Sequence, residues 1–460
     1  MTETANAVTD APESVPVRHE IYWRDTEPVT PGPALREDVR CDVAIVGGGY
    51  TGLWTAFFLK QADPSLEIHI VEADYAGAGA SGHNDGFMTP TIGHSLSALI
   101  HRFGTERAKL AYTVVGRSML ELRRFCRKYD VDAELEPTGY LQVASNRNQL
   151  RLLERDLDLI EQLGGQRSIE LLGTADARER VDSPAIVGAF EVGGSLINPH
   201  KLTRGLYRVV RDLGVHVHES TTVTAMRRTA GGHVLTTPYA RVTAPKVLLA
   251  TNAYQHQFAA LRRKVVPVWS YAAVTRPLTE QELAQVHWPD REGFVEAGNF
   301  IVFGRLTAEN RLLFGGGRAD YHYGRDMDES RHIDSPRATA ALRGVLARYF
   351  PQWRDIPFSH TYGGCVAITR EMVPHVGDTG DGVYYAHGYC GNGISVTHTA
   401  AKSLRDLILG RDSVYTNLLF VNGAEKGFPP EPIAFLGSKA VTRALAVQDR
   451  YPHLVRAQIF

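Results

Sequence analysis

Hydrophobic positions along this chain follow two periods, and the first change from one to the other is the sharpest. Cys41-Asp-Val-Ala-Ile-Val46 is a β-branched run that reads as a buried strand, whereas Leu53-Trp-Thr-Ala-Phe-Phe-Leu59 reads as a helix. Glycines fall at 47, 49 and 52 between the two runs. A second strand is expected from Glu67 to Val71, closed by Glu72. In this context the first glycine permits a tight turn, the second lets backbone approach a pyrophosphate, and the third lets helix pack on strand. Tyr50 and Thr51 then open a helix whose amides face the phosphates. Glu72, with Ala73 beside it, is placed where a carboxylate takes the ribose hydroxyls of an adenine dinucleotide. A glycine-rich turn in some other α/β unit is the competing reading.

Further along, helical periodicity spans about 95 to 130 and a strand is expected at Tyr140-Leu-Gln-Val-Ala144. Asn148 to Leu163 reads as a charged amphipathic helix with a solvated face, and Asn198-Pro199 begins another through about Asp212. Short β-branched runs follow at Val215 to Val217, Thr221 to Ala225 and Val234 to Thr237, then Lys246-Val-Leu-Leu-Ala250 ending in small polar residues. From about 256 to 358 the pattern changes to aromatic strands, with one helix around Pro336 to Phe350. The strand Val383 to His387 and the turn Gly388-Tyr-Cys-Gly-Asn-Gly393 then open a helix from Ser395, repeating the logic of strand, glycine turn and helix N-terminus. Gly77-Ala-Gly-Ala-Ser-Gly82 has the same glycine spacing as the first turn, but no strand precedes it, so it reads as a loop passing along the cofactor.

Composition narrows the classes. With 460 residues, 43% hydrophobic and 22% charged, the chain has enough apolar material for two or more domains. Lys and Arg (50) nearly cancel Asp and Glu (51), which argues against nucleic acid or an anionic membrane as a partner. Cysteines 41, 126, 365 and 390 form no CxxC pair, so neither a disulfide framework nor a cysteine metal cluster is expected, and no metal site is assigned. A reducing, cytoplasmic setting fits this cysteine usage. No apolar stretch approaches the ~20 residues of a membrane span.

In order along residues 20 to 440, the chain resembles the D-amino-acid-oxidase-like FAD-dependent oxidoreductases, the glycine and sarcosine oxidase superfamily, nearest its gamma-glutamylputrescine oxidase branch. The resemblance is carried by Tyr22-Trp-Arg-Asp-Thr, Gly47 to Gly52, Gly79-Ala-Ser-Gly-His-Asn84, Ala250-Thr-Asn-Ala-Tyr254, Val266-Pro-Val268 with Tyr271, Arg311 to Gly317, Tyr362-Gly-Gly364 and His387 to Gly393. It implies an α/β fold, a glutathione-reductase-type FAD domain with an inserted, mainly β substrate domain over the flavin. The FAD parts are expected at 21–95, 196–255 and 359–415, the substrate parts at 96–195 and 256–358, a mobile tail at 1–20 and a C-terminal extension at 416–460. It also implies oxidation of the C–N bond of an amine or amino acid, with hydride passing to flavin N5 and the imine then hydrolysed.

Cofactor positions implied by the resemblance are Gly47, Gly49, Gly52, Glu72 and Ala73, the loop Ser81, Gly82, His83 and Asn84, then Val223 on the adenine side. Gly391, Asn392, Gly393 and Ile394 are implied at the flavin pyrimidine, where a helix N-terminus favours the anionic reduced ring. Some relatives attach FAD covalently near Cys365 or His83. The lysine that assists oxygen activation in the sarcosine-oxidase branch has no counterpart in Leu312-Leu-Phe-Gly, so oxygen and an electron carrier both stay open as acceptors. A non-catalytic flavin-binding subunit is a further alternative.

For catalysis, Arg305 after an apolar strand suits a bidentate clamp on a substrate anion, with a structural pairing as the alternative. His360 and His387 are candidates to hold a proton near the ring, each with a purely supporting role as the other reading. Trp269, Tyr271 and Tyr362 are candidate walls of an amine pocket.

Overall fold

The computed structural model describes residues 16–93, 96–162 and 169–450. A six-stranded sheet runs in the order His375–Asp378, Val383–His387, Lys246–Leu249, Val43–Val46, Ile68–Val71 and His216–His218, parallel except for the first pair. Side chains alternate between its faces, and both faces are covered. Val43, Ile45, Ile68, Ile70 and Leu248 meet helices Tyr50–Ala62, Thr105–Lys128, Pro199–Asp212 and Gly393–Ile408. Ala44, Val46, Val71, Val247 and Leu249 meet a four-stranded sheet of Val39–Arg40, Arg241–Ala244, Gly232–Thr236 and Ala225–Thr229 through Leu235, Val242 and Ala244. Helix Tyr50–Ala62 is buried from Tyr50 to Lys60, as an all-round apolar helix must be.

A second sheet has seven strands, in the order Phe358–Ile368, Val266–Thr275, Leu312–Gly316, Val302–Leu306, Gly293–Glu296, Tyr140–Ala144 and Gly188–Val192. It is antiparallel apart from the Gly293–Glu296 and Tyr140–Ala144 pair. One face packs on helix Pro336–Tyr349 with Trp288, Phe294, Phe350 and Trp353. The other carries Ala272, Val274, Leu313 and Tyr362 and is covered by Ile21, Tyr22 and Trp23.

Several boundaries differ from the sequence reading. Residues 359–368, grouped by sequence with the third FAD part, lie in strand Phe358–Ile368, which pairs along Val266–Thr275 in the seven-stranded sheet. Helix Thr105–Lys128, grouped with the substrate part, gives Ala108, Val115, Leu122 and Phe125 to the core of the six-stranded sheet. Thr221 to Ala225 forms no strand before Ala225, because Thr221 N bonds Glu72 O at 2.7 Å and draws the segment along a strand end. Of the tail expected at 1–20, residues 1–15 lie outside the described residues. Arg18 is anchored, donating to Ser359 O at 2.9 Å and accepting from Thr361 N at 3.0 Å. Among the described residues, no helix is long and apolar enough to cross a membrane.

Candidate active site

The chain leaves strand Val43–Val46 at Gly47, whose φ is +110° and where a Cβ would lie 2.7 Å from Ala250 O. At Gly52 a Cβ would stand 2.1 Å from Gly47 O, so only glycine lets the helix sit on the turn. Gly49 caps that helix without a side chain, leaving first-turn amides free of helical partners. Tyr50 N donates to Ser81 Oγ at 2.8 Å, which sets the next loop against the same helix end. The side chains of Tyr50 and Thr51 are turned inward: the phenol donates to Pro199 O at 2.8 Å, and Thr51 Oγ1 lies 2.8 Å from Tyr389 Oη. Any contact of these two with a phosphate therefore belongs to their backbone.

Glu72 Oε2 accepts from Gly48 N at 2.6 Å and Oε1 from Asp74 N at 3.0 Å. Burial raises its pKa, and the two amides pull the other way. Each carboxylate oxygen retains a lone pair for a sugar hydroxyl. The bond from Thr221 N brings buried Val223 to this strand end, with Ala73 exposed beside it. Ser81, Gly82 and His83 form a single turn, Ala80–His83, closed by Asn84, whose Nδ2 donates to Ala80 O and Ser81 O at 3.1 and 2.9 Å. His83 Nε2 lies 3.2 Å from Arg24 Nη2, and burial drives its pKa well below the usual value, so the ring is neutral.

Strand Val383–His387 ends in a second turn with φ of +74° at Gly388 and +88° at Gly391. Helix Gly393–Ile408 follows with no side-chain cap from Asn392, whose Nδ2 instead donates to Gly93 O at 2.9 Å. Ile394 is buried in its first turn.

On the substrate side the structure separates residues that sequence had grouped. Trp269 pairs with Cys365 and Tyr271 with Gly363, so both rings point to the face under helix Pro336–Tyr349. Tyr362 pairs with Ala272 on the opposite face, against Tyr22 and Trp23. Trp269 and Tyr271 are thus core residues and share no pocket with Tyr362, because side chains alternate with period two. Gly363 makes room for them: a Cβ there would lie 2.8 Å from Tyr271 Cε1.

At Arg305, expected either as an anion clamp or as a structural pairing, the guanidinium meets protein groups. Its guanidinium is 1% exposed, with Nη1 donating to Ile197 O at 2.9 Å and Gly86 O at 3.4 Å, and Nη2 3.7 Å from Glu136 Oε1. These contacts are those of a structural pairing through Nη1, while Nη2 reaches a carboxylate only at ion-pair distance. His360 is held at Nε2 by Asp25 (3.1 Å) and at Nδ1 by Ser359 Oγ (3.0 Å), with Tyr22 edge-on, and neither nitrogen is free for a substrate proton. His387 is buried, its Nε2 2.6 Å from Glu425 Oε1, and Lys264 Nζ donates to Glu425 O at 3.0 Å. It fastens the second turn to the C-terminal segment, and its Nδ1 is buried without a partner among the described residues.

Sequence reasoning stopped one residue short of Asp85. Trp23 Nε1 donates to Asn84 O at 2.8 Å, so this part of the loop lies against the Tyr362 face. No side chain among the described residues hydrogen-bonds the Asp85 carboxylate. Burial pushes its pKa up to about 7, opposed by the charge of Arg305. Tyr362 Oη is buried without a partner, and burial followed by the Asp85 charge keeps the phenol protonated. The signal for Asp85 was its place beside the glycine-rich loop.

The family model for FAD dependent oxidoreductases (DAO) matches residues 42–407. Gamma-glutamylputrescine oxidoreductase of Escherichia coli (strain K12) is 30% identical over 404 residues, covering 86% of this chain and 91% of that protein. This chain belongs to the DAO family of FAD-dependent oxidoreductases. The crystal structure of glycine oxidase from Geobacillus kaustophilus has a TM-score of 0.70 at 22% identity, covering 84% of this chain and 100% of that one. L-proline dehydrogenase from P. horikoshii has a TM-score of 0.69 at 16% identity, covering 83% and 96%. At these identities the structural likeness is one of fold.

The cofactor of this DAO-family enzyme is FAD, and its residues fit that group. Two buried hydroxyls without partners among the described residues stand at the expected edges of the cofactor: Thr251 Oγ1, just after the strand that abuts Gly47, and Ser395 Oγ in the first turn of helix Gly393–Ile408. Cys365, a candidate for covalent attachment, is a thiol whose pKa burial pushes up to about 12.

Proposed function

We propose that this DAO-family enzyme oxidises the C–N bond of an amine whose reacting end is not an α-amino acid. The observation that carries the reading is the contrast between Arg305, whose Nη1 is committed to Ile197 O and Gly86 O, and Asp85, whose carboxylate feels the Arg305 charge but is hydrogen-bonded by no side chain among the described residues. A carboxylate substrate needs a free guanidinium here, whereas an ammonium group is matched by Asp85. The name gamma-glutamylputrescine oxidoreductase on the Escherichia coli relative supports an amine.

When bound, FAD would supply the two-electron acceptor for hydride from the carbon that bears nitrogen, and the resulting imine would be hydrolysed by water. The chain's own part is to place and deprotonate the amine, since a protonated nitrogen has no lone pair to support hydride loss. Asp85 holds the ammonium and accepts its proton, a task suited to a carboxyl pKa near neutrality. Tyr362 Oη, without a partner among the described residues, would donate to the substrate and, with Trp23, walls the site. Gly47, Gly49, Gly52 and Glu72 would hold the adenine-dinucleotide end of FAD, and Gly391 to Ile394 would hold the pyrimidine end at a helix N-terminus without a side-chain cap. The absence of a lysine in strand Leu312–Gly316 supports a carrier as readily as oxygen as the final acceptor.

Anaerobic mixing with a panel of amines and amino acids tests this reading. Amines lacking an α-carboxylate should bleach the flavin, and peroxide per turnover in air identifies the acceptor. Bleaching by α-amino acids alone would overturn the amine assignment, and bleaching by none would make the chain a flavin-binding subunit.

A further inference from the structure

Three histidines and a glutamate meet at the edge of the six-stranded sheet, away from the oxidation chemistry. Strand His216–His218 pairs in parallel with Ile68–Val71, setting His69 opposite His216 and Val71 opposite His218. Glu67 lies two residues before His69 and so reaches the same face. Its Oε1 is 3.0 Å from His69 Nε2 and 3.1 Å from His216 Nε2, and the two rings stack with centroids 4.6 Å apart. The other nitrogen of His69, Nδ1, is 2.9 Å from His218 Nε2.

We propose that Glu67, His69 and His216 bind one divalent transition-metal ion of the zinc class, with His218 positioning the His69 ring. One carboxylate oxygen and two imidazole nitrogens form a donor set suited to zinc, nickel or copper. Tetrahedral zinc with bonds of about 2.0–2.2 Å sets ligand atoms about 3.4 Å apart, so the two spacings from Glu67 Oε1 need to open by only a few tenths of an ångström, and all three ligand atoms already lie within 4.8 Å of one another. The remaining coordination position faces water, because the side chains of Glu67 and His216 are 47% and 54% exposed while that of His69 is 7% exposed. The bond between His69 Nδ1 and His218 supplies the outer contact that fixes a ligating ring's tautomer and direction.

The ion joins the sheet's edge strand to its neighbour directly below the adenosine side. Glu219, next after His218, is buried and accepts from Gly32 N at 2.6 Å and Ala76 N at 2.7 Å, and Glu72 closes the adjacent strand. Metal occupancy therefore stabilises the loops around the cofactor's nucleotide end by linkage.

The test uses FAD-loaded protein stripped with chelator and titrated calorimetrically with zinc sulfate, with melting temperature recorded in parallel. One zinc per chain is expected, with a rise in melting temperature. His216→Ala should lower the affinity at least tenfold and abolish the thermal shift, and His218→Asn should lower affinity about tenfold. His256→Ala, at an exposed histidine elsewhere, should match the parent protein. His216 is half exposed, so its replacement tests the site even if His69→Ala misfolds. Failure to bind zinc at micromolar concentration, or equal binding and thermal shift in His216→Ala, would overturn the proposal.

Discussion

Thr51 Oγ1 and Tyr389 Oη lie 2.8 Å apart in the core, joining residues 338 positions distant. The bond fastens the helix after the first glycine turn to the second turn, which opens helix Gly393–Ile408. In our reading FAD spans both, so their spacing would govern how well it is held. Tyr389→Phe removes one neutral buried hydrogen bond, worth about 1 kcal/mol. FAD affinity should fall about fivefold. Fluorescence titration of the apoprotein reads this, and unchanged affinity would mean that packing alone sets the spacing.

Glu72 serves the turn through Gly48 N and, in our reading, the ribose through its remaining lone pairs. Glu72→Ala should weaken FAD binding by about 1.5–3 kcal/mol, the range for a hydrogen bond to a charged group. Chromatography of cofactor released from the parent protein should show FAD and no FMN. Recovery of FMN would refute the dinucleotide assignment.

Arg305→Lys keeps a charge but loses the fork that holds Ile197 O and Gly86 O. The expected result is a stability loss of about 2 kcal/mol, with KM for acidic and uncharged amines shifting alike. Denaturant melts combined with steady-state kinetics separate the outcomes. A KM increase confined to acidic substrates would restore the clamp.

Asp85 carries the pH prediction. Its pKa is raised to about 7 by burial, so the carboxylate that accepts the substrate proton is populated only as pH climbs through that value. Flavin reduction by an amine should therefore accelerate from pH 6 to 8 with a single ionisation near about 7. In Asp85→Asn the rate should drop and this limb vanish. Persistence of the limb in stopped-flow measurements would assign it to the substrate amine itself. His360→Asn, by contrast, should leave the limb in place, because its ring is occupied by Asp25 and Ser359.

The sequence by itself determined the parts whose causes are local. Strand, glycine turn, helix and acid from Val43 to Glu72 were legible because each step depends on neighbours within a turn or two, and the cap at Asn198, accepting from Lys201 N at 3.1 Å, was legible for the same reason. Alternation also decided that Trp269 and Tyr271 share a face. Which face that is, and that Tyr362 takes the other, was decided only by the register of Phe358–Ile368 against Val266–Thr275. Arg305 stayed open between clamp and structural pairing because its partners, the carbonyls of Ile197 and Gly86, are backbone atoms that carry no sequence signal. The cluster of His69, His216 and His218 arises from a parallel pairing of strands far apart in the chain, and such pairing depends on how whole layers pack rather than on any short motif.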